Sequence, residues 1–181
     1  FDNIWIQPAA GDAGGSLGAA LALWHLDQKK PRKIDLRDSM KGSYLGPEYT
    51  QNEIENELKE LGAIYEIKTE ENLIDCTAED LSKGKAIGWF QGRMEFGPRA
   101  LGGRSILGDP RSASMQKNLN LKVKYRESFR PFAPSVLRED VNDWFELNED
   151  SPYMLLVADI KKEKQNQMTE DEKKLFGIDK L

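Results

Sequence analysis

Residues 88–111 read GWFQGRMEFGPRALGGRSILGDPR, an arginine- and glycine-rich run in a chain whose net charge is −5. Arg93, Arg99, Arg104 and Arg111 stand there against only Glu95 and Asp109. From Arg93 to Arg130 there are nine Lys or Arg and three Asp or Glu, a local balance of +6. Taking +6 from −5 leaves −11 for the remainder, so the positive charge is concentrated on an acidic background. Such asymmetry costs stability through self-repulsion unless carboxylates elsewhere or a bound anion offset it. Glycines at 92, 97, 102, 103 and 108 permit close backbone approach and exposed N–H groups. Pro98 and Pro110 stiffen the run, and arginine suits bidentate recognition of oxyanions. A second cluster, KVKYRESFRPFAP from Lys122, places Lys122, Lys124, Arg126 and Arg130 two to four residues apart. If its first part is extended, Lys122, Lys124 and Arg126 share a face. These features favour a compact phosphorylated ligand. The acidic background would repel a long polyanion, and nucleic-acid surfaces usually carry a broader basic excess with exposed stacking aromatics.

Outward from this segment, the pattern predicts an α/β (α+β) protein. KAIGWFQG reads as a buried strand entering the arginine-rich run. Upstream, NIWIQ (3–7) reads as a strand, GDAGG as a turn and SLGAALALWHLD as a helix. Residues from 28 to about 49 are charged and broken by Pro and Gly, as in a linker, with a domain boundary near 28. TQNEIENELKELGA predicts a helix capped by Thr50 or Asn52 and stopped by Gly62. AIYEIK predicts a strand, and TAEDLSKG a short helix capped at Thr77 and ended by Gly84. Downstream, 112–124 predicts a helix with Met115 and Leu119 inward. RPFAPSVL reads as extended, REDVNDWFEL as helical, YMLLVADI as an apolar strand, and the residues from Lys161 as a solvated tail.

No apolar run approaches the ~20 residues that span a bilayer, and no signal peptide opens the chain. Cys76 is the only cysteine. An internal disulfide is therefore excluded, a reducing, cytoplasmic setting is favoured, and Cys76 reads as a small core filler. Asp12, beside glycines at a strand end, suits a hard cation or a helix cap equally. His25 stands alone within a helix, without the second histidine a metal site wants. The opening on FDNIWIQ and the close on KKLFGIDKL suggest a piece of a longer polypeptide.

GDAGGSLGAAL, GRMEFGPRALGGRSILGDPR and KVKYRESFRPFAPSVL together resemble the carbamoyltransferase family of antibiotic-tailoring and nodulation-factor enzymes. The resemblance implies that residues 1–27 end an actin-like domain of the sugar-kinase superfamily. Residues 28–181 would belong to a truncated YrdC-like domain, a twisted mixed sheet with flanking helices. The family makes carbamoyl-adenylate from carbamoyl phosphate and ATP with Mg, then transfers the carbamoyl group to a hydroxyl-bearing small-molecule acceptor. A divalent metal, with iron among the candidates, sits in the amino-terminal domain. Residue by residue, the resemblance implies that Arg99, Lys124 and Arg130 contact the anionic substrates, Lys124 and Arg130 as catalytic groups. Arg104, Ser105 and Arg126 are neighbours in the same motifs, and Asp12 falls where the superfamily holds an aspartate near metal or phosphate. Gly103 stands where the family commonly has Asn. The family's metal-holding histidines and its DGTARVQ and NTSFN runs are absent, so these residues alone are not expected to turn over. Two other readings remain open: a YrdC-like protein of tRNA threonylcarbamoyl modification, and a non-catalytic phosphometabolite-binding module.

Overall fold

A computed structural model of the chain describes residues 6–175. Its helices precede and follow one pair of consecutive strands. Helix α1 spans Asp12–Ala22 and widens into a π-turn, Leu23–Asp27, where Gln28 N–H donates to Leu23 O. The expected strand at 3–7 lies largely outside the described residues. The glycine turn before the helix does not persist: Gly14 and Gly15 are wound into the first turn of α1, which Gly11 caps without a side chain.

Helix α2, Gln51–Glu60, starts on a reciprocal capping box. Thr50 Oγ1 accepts from Glu53 N–H, and the Glu53 carboxylate accepts from Thr50 N–H. Gly62, at φ +63°, ends it. Helix α3 spans Glu70–Ser82, longer than the sequence predicts, because Thr69 rather than Thr77 begins it: Asn72 N–H donates to Thr69 Oγ1. The predicted strand at 63–68 is absent. Among the described residues no second strand satisfies its backbone, and Ile64 is fully exposed. Cys76 is exposed on α3 rather than buried in a core.

Strand β1, Ile87–Phe90, pairs with β2, Arg104–Leu107, in a two-stranded sheet. Gln91 N–H donates to Gly103 O just beyond the pair, so the strands run antiparallel and residues 91–103 form the connecting loop. Two short helices follow: α4, Met115–Asn118, which runs into a π-turn at Leu119–Val123, and α5, Val141–Trp144. Met115 and Leu119 are buried as the spacing predicts. The helical turns at 115–123 agree with the helix read over 112–124, so the extended condition under which Lys122, Lys124 and Arg126 would share a face is not met. YMLLVADI forms no strand. Its backbone pairing is one antiparallel bridge, Phe145 with Ile160, and Val157 is fully exposed. Mixed α/β is thus the fold class, with a two-stranded sheet among the described residues where a larger mixed sheet was expected.

The chain divides into two compact units. The first comprises residues 1–74, 88–106 and 152–155; the second comprises 75–87, 107–151 and 156–181. In the first, residues 28–39 of the stretch read as a linker are exposed, while its later part, from Met40, is a brace. Met40 and Ser43 are buried, Ser43 O accepts from Phe96 N–H, and Gly46 N–H and Met94 N–H bond to Met94 O and Pro47 O. In the second, the buried side chains are Met115, Leu119 and Asn120.

Candidate functional site

In the first unit the site grows from the 91–103 loop. Arg93 is committed to the brace, Nη1 donating to Gly46 O at 2.8 Å and Nη2 to Glu48 Oε2 at 3.0 Å. Tyr44 OH donates to Leu101 O. Glu95, its side chain 0% exposed, is the hub. Its Oε1 accepts from Leu101 N–H at 2.6 Å and Gly103 N–H at 2.7 Å, with a longer contact from Arg104 N–H; its Oε2 accepts from Arg104 Nε at 3.1 Å. Burial, the largest single influence, pushes the Glu95 carboxyl up. The backbone N–H donors of Leu101, Gly103 and Arg104 outweigh it and hold the group below its ordinary value. Arg104 Nη2 reaches on to Gly97 O at 2.7 Å, and Ser105 Oγ accepts from Gly102 N–H at 3.1 Å.

Gly97 sits at φ +113°, and a Cβ there would lie 2.6 Å from Ala9 Cβ. Gly103 is crowded differently: a Cβ would come within 2.8 Å of Arg93 O and 3.2 Å of the Glu95 carboxyl carbon. The space an Asn would need is filled by the hub itself, and the Gly103 N–H is already used.

Arg99 differs from its neighbours. It is exposed and makes no ion pair among the described residues. It lines a cavity of about 90 Å³ with Ser43, Phe96, Pro98, Leu101 and Tyr153. Tyr153 OH accepts from Gly42 N–H at 3.1 Å and donates to the Asp38 carboxylate. Burial first, and the Asp38 bond second, push its hydroxyl up to about 12. Since the folded hydroxyl ionises later than the unfolded one, whose value is 10.0, the bond's contribution is complete below that pH and is lost as pH rises towards about 12. Ultraviolet titration is expected to show one tyrosine still protonated at pH 11, and Tyr153→Phe to remove that late step. An unchanged titration in the variant would refute the assignment.

The second unit holds the other cluster. Arg126 Nε donates to Asn120 Oδ1 at 2.7 Å, and its guanidinium lies 5.0 Å from the Phe132 ring. Arg130 Nε pairs with Glu127 Oε2 at 2.8 Å, and that bond holds the Glu127 carboxyl below its usual value. Arg111 grips Asp109, whose carboxyl is lowered to about 2 chiefly by that side-chain bond. Lys122 and Lys124 are exposed and make no ion pair among the described residues. Lys124 closes the π-turn, and Tyr125 after it sits at φ +49°.

The cations therefore divide. Arg93, Arg104, Arg111 and Arg130 are paired with carboxylates and Arg126 with an amide, whereas Arg99, Lys122 and Lys124 make no ion pair among the described residues. Arg99, Arg104 and Ser105 belong to the first unit; Lys124, Arg126 and Arg130 belong to the second. Asp12 is exposed in the first turn of α1, where its charge complements the helix N-terminus. His25 Nδ1–H donates to Lys30 O at 2.8 Å. Among the described residues no three His, Cys, Asp or Glu side chains gather as a metal would require, so they do not fit a complete metal centre.

Residues 78–172 match the carbamoyltransferase C-terminus family, and the match takes in both the β2 arginine and the Lys122–Arg130 cluster. The chain belongs to the carbamoyltransferase family. It is 58% identical over its whole length to an uncharacterized Synechocystis protein, covering 30% of that protein. Over 92% of its length it is 44% identical to nodulation protein NolNO of Sinorhizobium fredii, covering 24% of it. It is 42% identical to nodulation protein NolO of Bradyrhizobium diazoefficiens, again over 92% of this chain and 30% of that protein. The carbamoyltransferase chain thus spans less than a third of the length of these curated relatives. No helix among the described residues is long and apolar enough to cross a membrane.

Glu95, Asn120 and the Asp38–Tyr153 pair are the residues that sequence reasoning passed over. Glu95 carried one signal, as one of only two acids inside a basic glycine-rich run. Asn120 and Tyr153 carried none.

Proposed function

We propose that this chain serves ATP-dependent O-carbamoyl transfer, holding the phosphate groups of carbamoyl phosphate and ATP. The supporting observation is Arg99: an exposed guanidinium with no ion pair among the described residues, beside a small cavity and between the committed Arg93 and Arg104. Its planar fork suits the phosphate of carbamoyl phosphate, and stabilising that charge as the carbamoyl–oxygen bond breaks lowers the barrier to release of phosphate. Lys124 supplies a second, point-like cation for nucleotide phosphates. Water replaces phosphate on the carbamoyl carbon to give carbamate, whose oxygen attacks the α-phosphorus of ATP with loss of pyrophosphate. An acceptor hydroxyl then takes the carbamoyl group from the carbamoyl-adenylate, and AMP leaves. The family membership favours this over the RNA reading, and so does the acidic background, which repels a long polyanion.

Calorimetric titration with carbamoyl phosphate, ATP and a short RNA separates the readings. Carbamoyl phosphate and ATP are expected to bind and RNA not to. RNA binding that weakens steeply with salt, without carbamoyl phosphate binding, would replace this reading with the tRNA-modification one. Binding without O-carbamoylated product from the longer natural polypeptide would leave a phosphometabolite-binding module.

A further inference from the structure

The 91–103 loop and the first residue of β2 carry three guanidinium groups, Arg93, Arg99 and Arg104, and the outer two are paired with carboxylates. We infer that Glu95 is a positioning residue for Arg99: by committing Arg104 and fastening the loop on either side of Arg99, it sets that guanidinium for the anion. This rests on the reading of Arg99 as an anion contact.

The geometry is a closed clasp. Glu95 Oε1 holds Leu101 N–H and Gly103 N–H, while Oε2 holds Arg104 Nε. Arg104 Nη2 carries the connection on to Gly97 O at 2.7 Å. The backbone is therefore pinned at Gly97 and again at Leu101, and only Pro98, Arg99 and Ala100 lie between. Proline fixes φ at 98, so little freedom is left around Arg99. Ser105 tightens the same clasp through Gly102 N–H. Arg104 and Ser105, which the family motif suggests as substrate contacts, act here through Arg99. The carboxylate is fully buried while Arg99 is exposed, so Glu95 shapes the loop without neutralising the group it presents.

The sign of the effect separates positioning from charge. Glu95→Gln removes a negative charge near an anion site, so Coulomb attraction alone would tighten binding. It also sets an amide N–H₂ or a single carbonyl against Arg104 Nε and two backbone N–H groups, which cannot all be satisfied. Positioning therefore weakens binding. The protein and its Glu95→Gln, Arg99→Ala and doubly substituted forms would be titrated with carbamoyl phosphate and with inorganic phosphate. Glu95→Gln is expected to weaken both roughly ten-fold, as misplacing one oriented contact does, and to add no further loss in the Arg99→Ala background. Tighter or unchanged binding by Glu95→Gln, or an equal loss in both backgrounds, overturns the inference. If Arg99→Ala alone binds normally, the anion reading of Arg99 fails instead. Should Glu95→Gln not fold, Arg104→Lys decides, since it keeps the charge but cannot reach Glu95 and Gly97 O together. A ten-fold weakening supports the clasp, and wild-type affinity refutes it.

Discussion

Arg99→Ala is expected to weaken carbamoyl phosphate binding by ~1.5–3 kcal/mol, the range of hydrogen bonds to charged groups. That is roughly a ten- to 150-fold loss, well within reach of calorimetry. The size follows from the environment. Arg99 makes no ion pair among the described residues, so the ligand does not have to displace a carboxylate, and its loop is already ordered. Arg99→Lys should recover part of the loss, keeping the charge and losing the fork. Lys124→Ala should weaken binding through the same kind of contact, with ATP as the more informative ligand. Arg93→Ala provides the contrast. Arg93 is spent on Gly46 O and Glu48, so its loss should leave carbamoyl phosphate affinity within two-fold. Wild-type affinity in Arg99→Ala would place the anion elsewhere in the protein.

The charge pattern told where the arginines were but not which were free. Composition alone supported two outcomes, pairing with carboxylates or binding an anion, and the structure divides the residues between them. Glu48 lies 45 residues before its partner Arg93, and nothing in local spacing links the two. Glu95 and Arg104 are nine residues apart and meet only because the chain reverses between β1 and β2. Local signals read well where the physics is local. The Thr50 cap, the Gly62 and Gly84 helix stops, and the inward Met115 and Leu119 follow from one or two turns of chain. The predicted strands at 63–68 and 153–160 failed for a complementary reason. Alternating or continuous apolar residues show that a segment suits a sheet, and do not supply a neighbouring strand. The stretch from 28 to 49 looked like a linker because it is polar and rich in Pro and Gly. Its packing comes from backbone bonds of residues 43–47 to the 94–96 edge, which composition cannot express.

The second unit has its own buried polar hub, and removing it should be the most damaging single change there. Asn120 is 0% exposed. Its Nδ2 donates to Ser128 O at 3.1 Å and Arg130 O at 2.8 Å, and its Oδ1 accepts from Arg126 Nε at 2.7 Å. Asn120→Ala strands a carbonyl at Ser128 and a guanidinium N–H. Arg130 O keeps the Gln116 amide, and Arg126 keeps the face of Phe132. Asn120 is buried, but Ser128 is exposed and Arg126 half-buried, so water compensates part of the lost bonding and the expected loss is ~1–3 kcal/mol. Asn120→Asp tests the mechanism rather than the volume. It preserves the bond to Arg126 but turns a carboxylate oxygen towards two carbonyls, an arrangement that disfavours the charged form. The folded state then binds a proton more readily than the unfolded one, so this variant should regain stability as pH falls. The Asn120→Ala deficit should not share that recovery. Urea denaturation at neutral and mildly acidic pH would read both, and a variant within 0.5 kcal/mol of wild type would mean that the 116–130 segment is held by other contacts. Because Arg130 and Lys124 are carried by that segment, ATP affinity should fall with its order, while the Arg99 clasp in the other unit keeps its own bonds to Leu101, Gly103 and Gly97.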